Sequence, residues 1–375
     1  MNPRERFCAT YLFGNPDKIP LVPGWPREST LAAWREQGLP ADVYWRDYLW
    51  ELIGLDPEPK PPVADLGMTF KLLPYFDEIV YEHKNGHYIV QDYQGAIVEI
   101  SDRYDYTYLR FAKDFVTRKW HRFPLEKRSD WEEKLKWRYD PKHPERFPAD
   151  FNERCRLLKD RVTPLQLTIP GPFGQLRDWI GFETLCLWMV EQPEFIEELV
   201  DFWTDFVLKT LEPMLSQLEF DYVQISEDMA YKMHSMISPR MVRRFLMPCW
   251  KRIGAAVKAA KTAVYSVDSD GYIGELIPLW IEAGLQNTWP VEVAAGNDIL
   301  EFRRKYGRTF AYGGGIDKRA LAAGGDTMLA ELKRIEPLIR DGGYLPTCDH
   351  GVPPDISWAN FIAFTRRLAQ MTGWL

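Results

Sequence analysis

The chain has 375 residues, 46% of them hydrophobic, and a formal net charge of −7 at pH 7. This length is sufficient for one large core or two smaller ones. The negative charge argues against nucleic acid as a partner, because nucleic-acid-binding proteins concentrate Lys and Arg in basic patches. Neither a run of eighteen apolar residues nor a secretory signal is present, so we expect no membrane association and a cytoplasmic location.

The five cysteines are odd in number and widely scattered, and a chain of this size does not need disulfides, so we expect reduced thiols. Cys186 and Cys249 lie in apolar surroundings, which favours buried core positions. Cys348 is different because its neighbours are polar and loop-forming. A thiolate beside histidine or carboxylate is a good metal ligand, so Cys348 is a candidate for a metal site.

Strand-like and helix-like segments alternate along almost the whole chain, which is typical of βα units. A first strand is predicted at 18–25, a second begins at Leu165, and further strands are predicted at 221–226, 263–267, 284–289, 309–313 and 343–347. This rhythm predicts a single α/β domain over 1–375 folded as a (β/α)8 TIM barrel. A doubly wound sheet is the alternative, but no glycine-rich dinucleotide motif follows the first strand.

Residues 76–100 depart from this rhythm because polar and apolar residues alternate in three short runs. Asn85 and Gly86 stand between the first two runs, and an Asn-Gly pair in this position predicts a β-hairpin. We therefore expect a small antiparallel meander inserted near the N-terminus of the barrel.

Polar side chains follow several predicted strands. In a (β/α)8 barrel the loops after the carboxyl ends of the strands carry the active site, and these residues would meet there: Glu227, Asp268, Asp270, Glu292, Asp317, Cys348 and His350. Structural roles are the alternative. The aspartates would then cap loops, Glu227 would pair with an arginine, and His350 would pack on a proline.

Three tryptophans stand near predicted strand ends, namely Trp25, Trp179 and Trp289. Aromatic side chains commonly form the walls of small-molecule pockets, so these three are candidates for substrate contacts. Packing in the core is the alternative for each, because a barrel core also consumes aromatic residues.

Several motifs together resemble the uroporphyrinogen decarboxylase superfamily, and within it the corrinoid-dependent methyltransferases of the O-demethylase type. The resemblance covers essentially the whole chain and rests on 2–7, 227–232, 237–239, 267–271, 314–319 and, most specifically, CDHGVPPD at 348–355. It implies a (β/α)8 barrel with its pocket at the C-terminal mouth. Decarboxylase members hold substrate carboxylates with an arginine-rich N-terminal segment, whereas the corresponding segment here offers only Arg27. The resemblance therefore disfavours a tetrapyrrole decarboxylase.

The resemblance also implies zinc. Members that act on methanol or methylated thiols hold zinc through a His-x-Cys pair and a later cysteine. Here Ser266 and Asp268 occupy the place of that pair, and Cys348 matches the later cysteine. The expected ligands are therefore drawn from Glu227, Asp268, Cys348 and His350, a mixed oxygen, sulfur and nitrogen set that zinc accepts.

The reaction implied by the resemblance moves a methyl group from a small substrate, best guessed as a methoxylated aromatic, to the cob(I)alamin of a separate corrinoid protein. Zinc would act as a Lewis acid on the ether oxygen, and Asp270, Glu292 or His350 would protonate the leaving oxygen. Two alternatives stay open: a cofactor-free decarboxylase of the uroporphyrinogen type, and a binding partner in a corrinoid assembly. The sequence does not distinguish a monomer from a homodimer.

Overall fold

A computed structural model of the chain describes residues 1–110 and 116–375. Helices and two separate sheets alternate along the chain, which confirms the α/β class. Within these two ranges, no helix combines the length and the apolar character required to cross a lipid bilayer.

The first sheet is antiparallel and consists of four strands in chain order: β1 (Ile79–Lys84), β2 (His87–Gln91), β3 (Ile97–Ser101) and β4 (Arg118–Arg122). Asn85 and Gly86 connect β1 to β2 with φ angles of 53° and 78°, which are the positive values that a tight hairpin turn requires. The predicted meander is therefore confirmed, but it is larger than 76–100. The fourth strand was missed because it pairs with β3 from a position well beyond the predicted segment.

The second sheet is parallel and contains six strands: β5 (Gln166–Pro170), β6 (Tyr222–Ser226), β7 (Val264–Asp268), β8 (Asn287–Trp289), β9 (Ala311–Ile316) and β10 (Tyr344–Cys348). Each strand pairs with the next one along the chain, so the sheet runs from β5 to β10 without a crossover. The carboxyl ends of all six strands therefore lie at one edge.

Residues 18–25, the predicted first strand, run beside β10 without being assigned to a strand. Pro26 forms an isolated parallel bridge with Val352, and the Cys348 N–H donates to the Pro23 carbonyl at 3.2 Å. Pro20, Pro23 and Pro26 lack the N–H groups that a continuous ladder requires. The described residues thus show six parallel strands, and closure into an eight-stranded barrel stays a prediction.

The α-helices are Pro3–Tyr11, Glu28–Glu36, Trp45–Ile53, Arg128–Asp130, Phe151–Leu158, Pro172–Ile180, Phe182–Glu191, Pro193–Leu215, Pro239–Met241, Met247–Ala259, Ile277–Ala283, Ile299–Tyr306, Lys318–Ala323, Gly325–Asp341 and Trp358–Thr372. The largest apolar cluster unites residues from Leu21 to Ala369, including side chains from β5, β6, β7, β9 and β10 and from the helices.

The first helix covers the amino ends of the parallel strands. Asn2 caps it by accepting a hydrogen bond from the Glu5 N–H, and the Glu5 side chain accepts one from the Asn2 N–H in return. Phe7 and Tyr11 of this helix pack against Tyr222 of β6, with ring centroids 5.8 and 5.6 Å away. We call these three rings, Phe7, Tyr11 and Tyr222, the aromatic floor, because they close the space along the inner face of the sheet at the amino ends of the strands.

Candidate active site

A cavity of about 1020 Å³ extends along the inner face of the parallel sheet. Trp25, Trp289 and His350 line it near the carboxyl ends of the strands, and Tyr11 lines it near the floor. Gln224 lies between these two levels. The cavity therefore connects the polar strand ends with the aromatic floor, as expected for a pocket in a βα fold.

Strand alternation decides which side chains reach this cavity. Leu345 and Thr347 of β10 line it, and because successive side chains point to opposite faces, Cys348 points toward the surrounding helices. Cys348 is fully buried there, and burial raises the pKa of its thiol to about 12. The thiol is therefore neutral and does not face the cavity.

His350 and Asp270 form a pair at the cavity mouth, where His350 Nε2 lies 3.3 Å from Asp270 Oδ2. The hydrogen bond to Asp270 raises the pKa of His350 above its ordinary value. His350 Nδ1 is buried and has no hydrogen-bond partner in the part of the chain that the structure describes. The ring also lies nearly parallel to Trp289, at 14° and 6.3 Å between centroids. An imidazole that is held on one nitrogen and free on the other can move a proton.

Asp268 stands at the carboxyl end of β7, beside Trp289 in the parallel register. Ser226 Oγ donates to Asp268 Oδ1 at 3.1 Å. Burial raises the pKa of Asp268 to about 7, and the charge of Asp270 acts in the same direction. The mouth therefore holds a carboxyl group that titrates near neutral pH.

Glu292 belongs to a cluster that joins the loops after β7, β8, β9 and β10. Its carboxylate accepts hydrogen bonds from the Gly271 N–H and from Lys318 Nζ, both at 3.0 Å. Lys318 Nζ also lies 4.0 Å from Asp349, whose buried carboxylate accepts from the Val293 N–H at 2.9 Å. Burial lowers the pKa of Lys318, but Asp349 and Glu292 raise it overall. The cluster fixes loop positions around the mouth, and Glu292 is already engaged on both oxygens.

Glu227 is fully buried between β6 and two helices. Its Oε2 accepts from the Phe173 N–H at 2.9 Å, and its Oε1 accepts from Trp250 Nε1 at 2.5 Å. A Cβ added at Gly171 would lie 2.2 Å from the Glu227 carboxyl carbon, so this close approach requires glycine. Burial raises the pKa of Glu227 to about 8, and the donated hydrogen bonds oppose this rise. Glu227 therefore ties the start of the helix Pro172–Ile180 to the sheet.

The expected zinc ligands do not fit a metal site in this arrangement. Across residues 1–110 and 116–375, no three His, Cys, Asp or Glu side chains are grouped closely enough to hold a metal ion. Glu227 uses both oxygens on protein donors, Cys348 faces the helices, and His350 holds Asp270. Zinc thus stays a prediction for which this geometry supplies no set of ligands.

The three tryptophans have different positions. Trp25 and Trp289 line the cavity, and Trp25 remains 53% exposed. Trp179 does not line it. Its ring is buried against Trp131 and Trp203, and its Nε1 donates to Tyr139 Oη at 2.8 Å. The expected substrate contact by Trp179 is therefore corrected to a core position, because its helix turns this side chain away from the sheet's inner face.

Several cavity residues were missed in the sequence. Gln224, Thr347 and Tyr222 line the cavity from within strands, whereas the predicted site residues follow strand ends. Polar residues at alternate positions of an otherwise apolar strand were the available signal, because a core-facing strand seldom carries them without a use.

The chain is similar to known proteins in both sequence and fold. The family model for uroporphyrinogen decarboxylase (URO-D) matches residues 128–371, which is more than half of the chain. A search of curated proteins gives no match. Among solved structures, a methyltransferase from Methanosarcina mazei is 13% identical, with a TM-score of 0.57 over 99% of both chains. This similarity shows a shared fold.

A second solved structure, a B12-independent methionine synthase from Shewanella sp. W3-18-1, is also 13% identical. The match covers 61% of this chain and 67% of the other, with a TM-score of 0.39. A score this low has no bearing on function or fold.

Proposed function

The chain belongs to the uroporphyrinogen decarboxylase family, and on that premise we propose that it is a corrinoid-dependent methyltransferase. Its substrate is a small methylated compound, best fitted by a methoxylated aromatic ring in the cavity. The acceptor is the cob(I)alamin of a separate corrinoid protein that docks at the cavity mouth. The observation that carries the proposal is that His350, on the wall of an aromatic-lined cavity, is paired with Asp270.

The cavity supports an aromatic ring as the substrate. Trp25 and Trp289 offer flat apolar faces at the mouth, and the Trp289 ring is nearly parallel to His350. A planar ring is stabilised by offset stacking on such faces and by exclusion of water. The methoxyl group then lies at the level of His350, where the strand ends provide polar groups.

His350 supplies the proton for the leaving oxygen. Asp270 accepts from Nε2 and raises the pKa of the ring, which favours the imidazolium form. In that form Nδ1 also carries a proton, which it can donate. The methyl carbon leaves its oxygen, the electron pair of that bond stays on oxygen, and the proton from Nδ1 completes the phenol. The electron pair of cob(I)alamin forms the new bond to the methyl carbon. Protonation of the leaving group is needed because a phenolate is a costly leaving group in a buried site.

Asp268 complements this step. Because burial raises the pKa of Asp268 to about 7, much of it is uncharged at neutral pH. A neutral carboxyl beside the leaving oxygen avoids the repulsion that a carboxylate would exert on developing negative charge. No step of this mechanism is routed through zinc.

A decarboxylase of the uroporphyrinogen type is the second candidate, favoured by the name of the family model. Such a substrate carries several carboxylates and requires unpaired cations. Three described arginines line the cavity, and each already pairs with a carboxylate: Arg6 with Asp17, Arg46 with Glu58, and Arg161 with Asp221. This pairing favours a neutral substrate over a polycarboxylate.

Anaerobic assays with a panel of methoxylated phenols and cob(I)alamin test the proposal. We expect loss of the cob(I)alamin absorbance with equal amounts of methylcobalamin and demethylated phenol. His350→Gln should abolish most of this activity. His121→Gln is the matched control, because His121 also pairs with a carboxylate, Glu99 at 3.1 Å, but lies on β4 outside the cavity lining.

The alternatives predict different products. A decarboxylase would release carbon dioxide from carboxylated substrates and consume no cob(I)alamin. A purely binding role would show association with a corrinoid protein and no difference between wild type and His350→Gln. Either pattern would contradict methyl transfer by this chain.

A further inference from the structure

We infer that Gln224 selects substrates with a hydrogen-bond donor, such as a phenolic hydroxyl, at the end of the ring opposite the methyl ether. This inference rests on the proposed function and deepens it by naming the substrate class. Gln224 lies in the middle of β6 and lines the cavity below the strand ends. It is not part of the proton-transferring group at the mouth.

A buried hydrogen-bond network surrounds Gln224. Its Nε2 donates to Tyr222 Oη at 3.4 Å. Tyr222 Oη lies 2.7 Å from Ser266 Oγ and 2.8 Å from Asn287 Oδ1, and Ser266 Oγ lies 2.7 Å from the same Asn287 oxygen. Tyr222, Ser266 and Asn287 are all buried, so their mutual hydrogen bonds are strong and their geometry is fixed.

The protons of this network decide the orientation of Gln224. Asn287 presents Oδ1 to Tyr222 and leaves its buried Nδ2 without a hydrogen-bond partner among the described residues; in this orientation the Tyr222 hydroxyl donates to Oδ1. The Tyr222 oxygen then has a lone pair that needs a donor, and Gln224 supplies one from its amide nitrogen. An inverted amide would place oxygen against oxygen without a proton between them. The amide nitrogen therefore points to Tyr222, which assigns Oε1 as the free end of the group.

Gln224 Oε1 forms no hydrogen bond with any residue that the structure describes. An amide oxygen is an acceptor only, so a ligand group that satisfies it must carry a hydrogen. A hydroxyl or an amine meets this requirement. A ketone, an ether or a carboxylate does not, and places a second acceptor against Oε1 at a cost.

The depth of Gln224 matches one aromatic ring. Gln224 pairs with Ser266 in the parallel register, and Ser226 pairs with Asp268 two residues further along. Two residues of a parallel strand span about 6.6 Å. This distance is comparable to the separation of the two oxygens across a para-substituted benzene ring. A ring whose ether lies at the level of Asp268 therefore places its para substituent at the level of Gln224.

Binding measurements by isothermal titration calorimetry test this inference without methyl transfer. The ligands are 4-methoxyphenol, 4-methylanisole and 4-methoxyacetophenone, which present a donor, an apolar group and an acceptor at the same position. Wild type should bind the phenol about tenfold more tightly than 4-methylanisole, in line with one buried hydrogen bond, and should bind the acetophenone most weakly. In Gln224→Met, which keeps the length of the side chain, the phenol should lose its advantage.

Thr168→Val is the matched control. Thr168 pairs with Gln224 across β5 and β6 and also lines the cavity, but it takes no part in the network. The control should keep the preference for the phenol. If Gln224→Met does not fold, as judged by circular dichroism, the order of the three binding affinities in wild type still tests the inference.

Three results would overturn the inference: an unchanged preference in Gln224→Met, acetophenone binding as tight as phenol binding, or no binding of any of the three ligands. Failure of the proposed function appears differently. If 4-methoxyphenol binds with the expected preference but yields no methylcobalamin, the recognition by Gln224 stands and the methyl transfer does not.

Discussion

Replacing Glu227 by glutamine separates two roles for this buried carboxyl, a metal ligand and a tether between elements. Glu227 is fully buried and receives hydrogen bonds from Phe173, Gly174 and Trp250. Burial raises its pKa to about 8, against an ordinary value of 4.5. Between these two pH values the folded protein keeps the proton that the unfolded chain has lost. The stability of wild type therefore falls as pH rises through this range.

The size of this effect follows from the pKa difference. Each pKa unit corresponds to about 1.4 kcal/mol, and integration from pH 5.5 to 7.5 gives about 2 to 3 kcal/mol of lost stability for a pKa of about 8. Glu227→Gln carries no titrating group at this position and escapes this loss. Other titrating groups are common to both proteins and cancel in the difference.

Urea unfolding of wild type and Glu227→Gln at pH 5.5 and 7.5, followed by tryptophan fluorescence, measures this difference. We expect the stability of the variant relative to wild type to increase by about 2 to 3 kcal/mol at the higher pH. A difference that is the same at both pH values would refute the reasoning, because it would mean that the three donors keep Glu227 ionised throughout. A loss of bound metal in the variant would instead favour the ligand role.

Three further sets of variants test the roles of His350, Cys348 and Trp289. His350→Gln should lower kcat about 10²- to 10⁴-fold, as expected for a lost general acid. This acid must be protonated, and Asp270 raises its pKa. In Asp270→Asn, the pH at which the rate begins to fall should therefore be lower than in wild type. Cys348→Ala should reduce stability by about 1 kcal/mol and leave turnover and metal content unchanged, whereas loss of zinc by elemental mass spectrometry would restore the ligand assignment. Gly313→Ala should raise KM, because its Cβ would lie 2.9 Å from Tyr11 Oη and 3.0 Å from Trp289 Cδ1, two side chains that line the cavity. Trp289→Ala should raise KM more than it lowers kcat, and an unchanged KM in this variant would remove Trp289 from the substrate wall.

Local patterns were sufficient to locate most elements of the fold. The strands near Leu165, Tyr222, Val264, Ala311 and Tyr344 were recognisable from short β-rich runs because strand period and turn residues act between near neighbours. The antiparallel hairpin followed from its Asn-Gly turn for the same reason. The prolines at 20, 23 and 26 were also visible in the sequence, although their effect on the first predicted strand was underestimated.

The composition of the site depended on longer-range geometry. The sequence placed Asp270 and His350 after strand ends, but only the packing of the loops brings them to 3.3 Å. Cys348 has equally polar neighbours, yet the alternation of β10 turns it to the helices. Gln224 acquires a defined orientation only through Tyr222 and residues on two other strands. The positions of the strands depend on interactions between near neighbours in the chain. The direction of each side chain, its burial and its hydrogen-bond partners depend on contacts between distant segments, so only the folded molecule decides them.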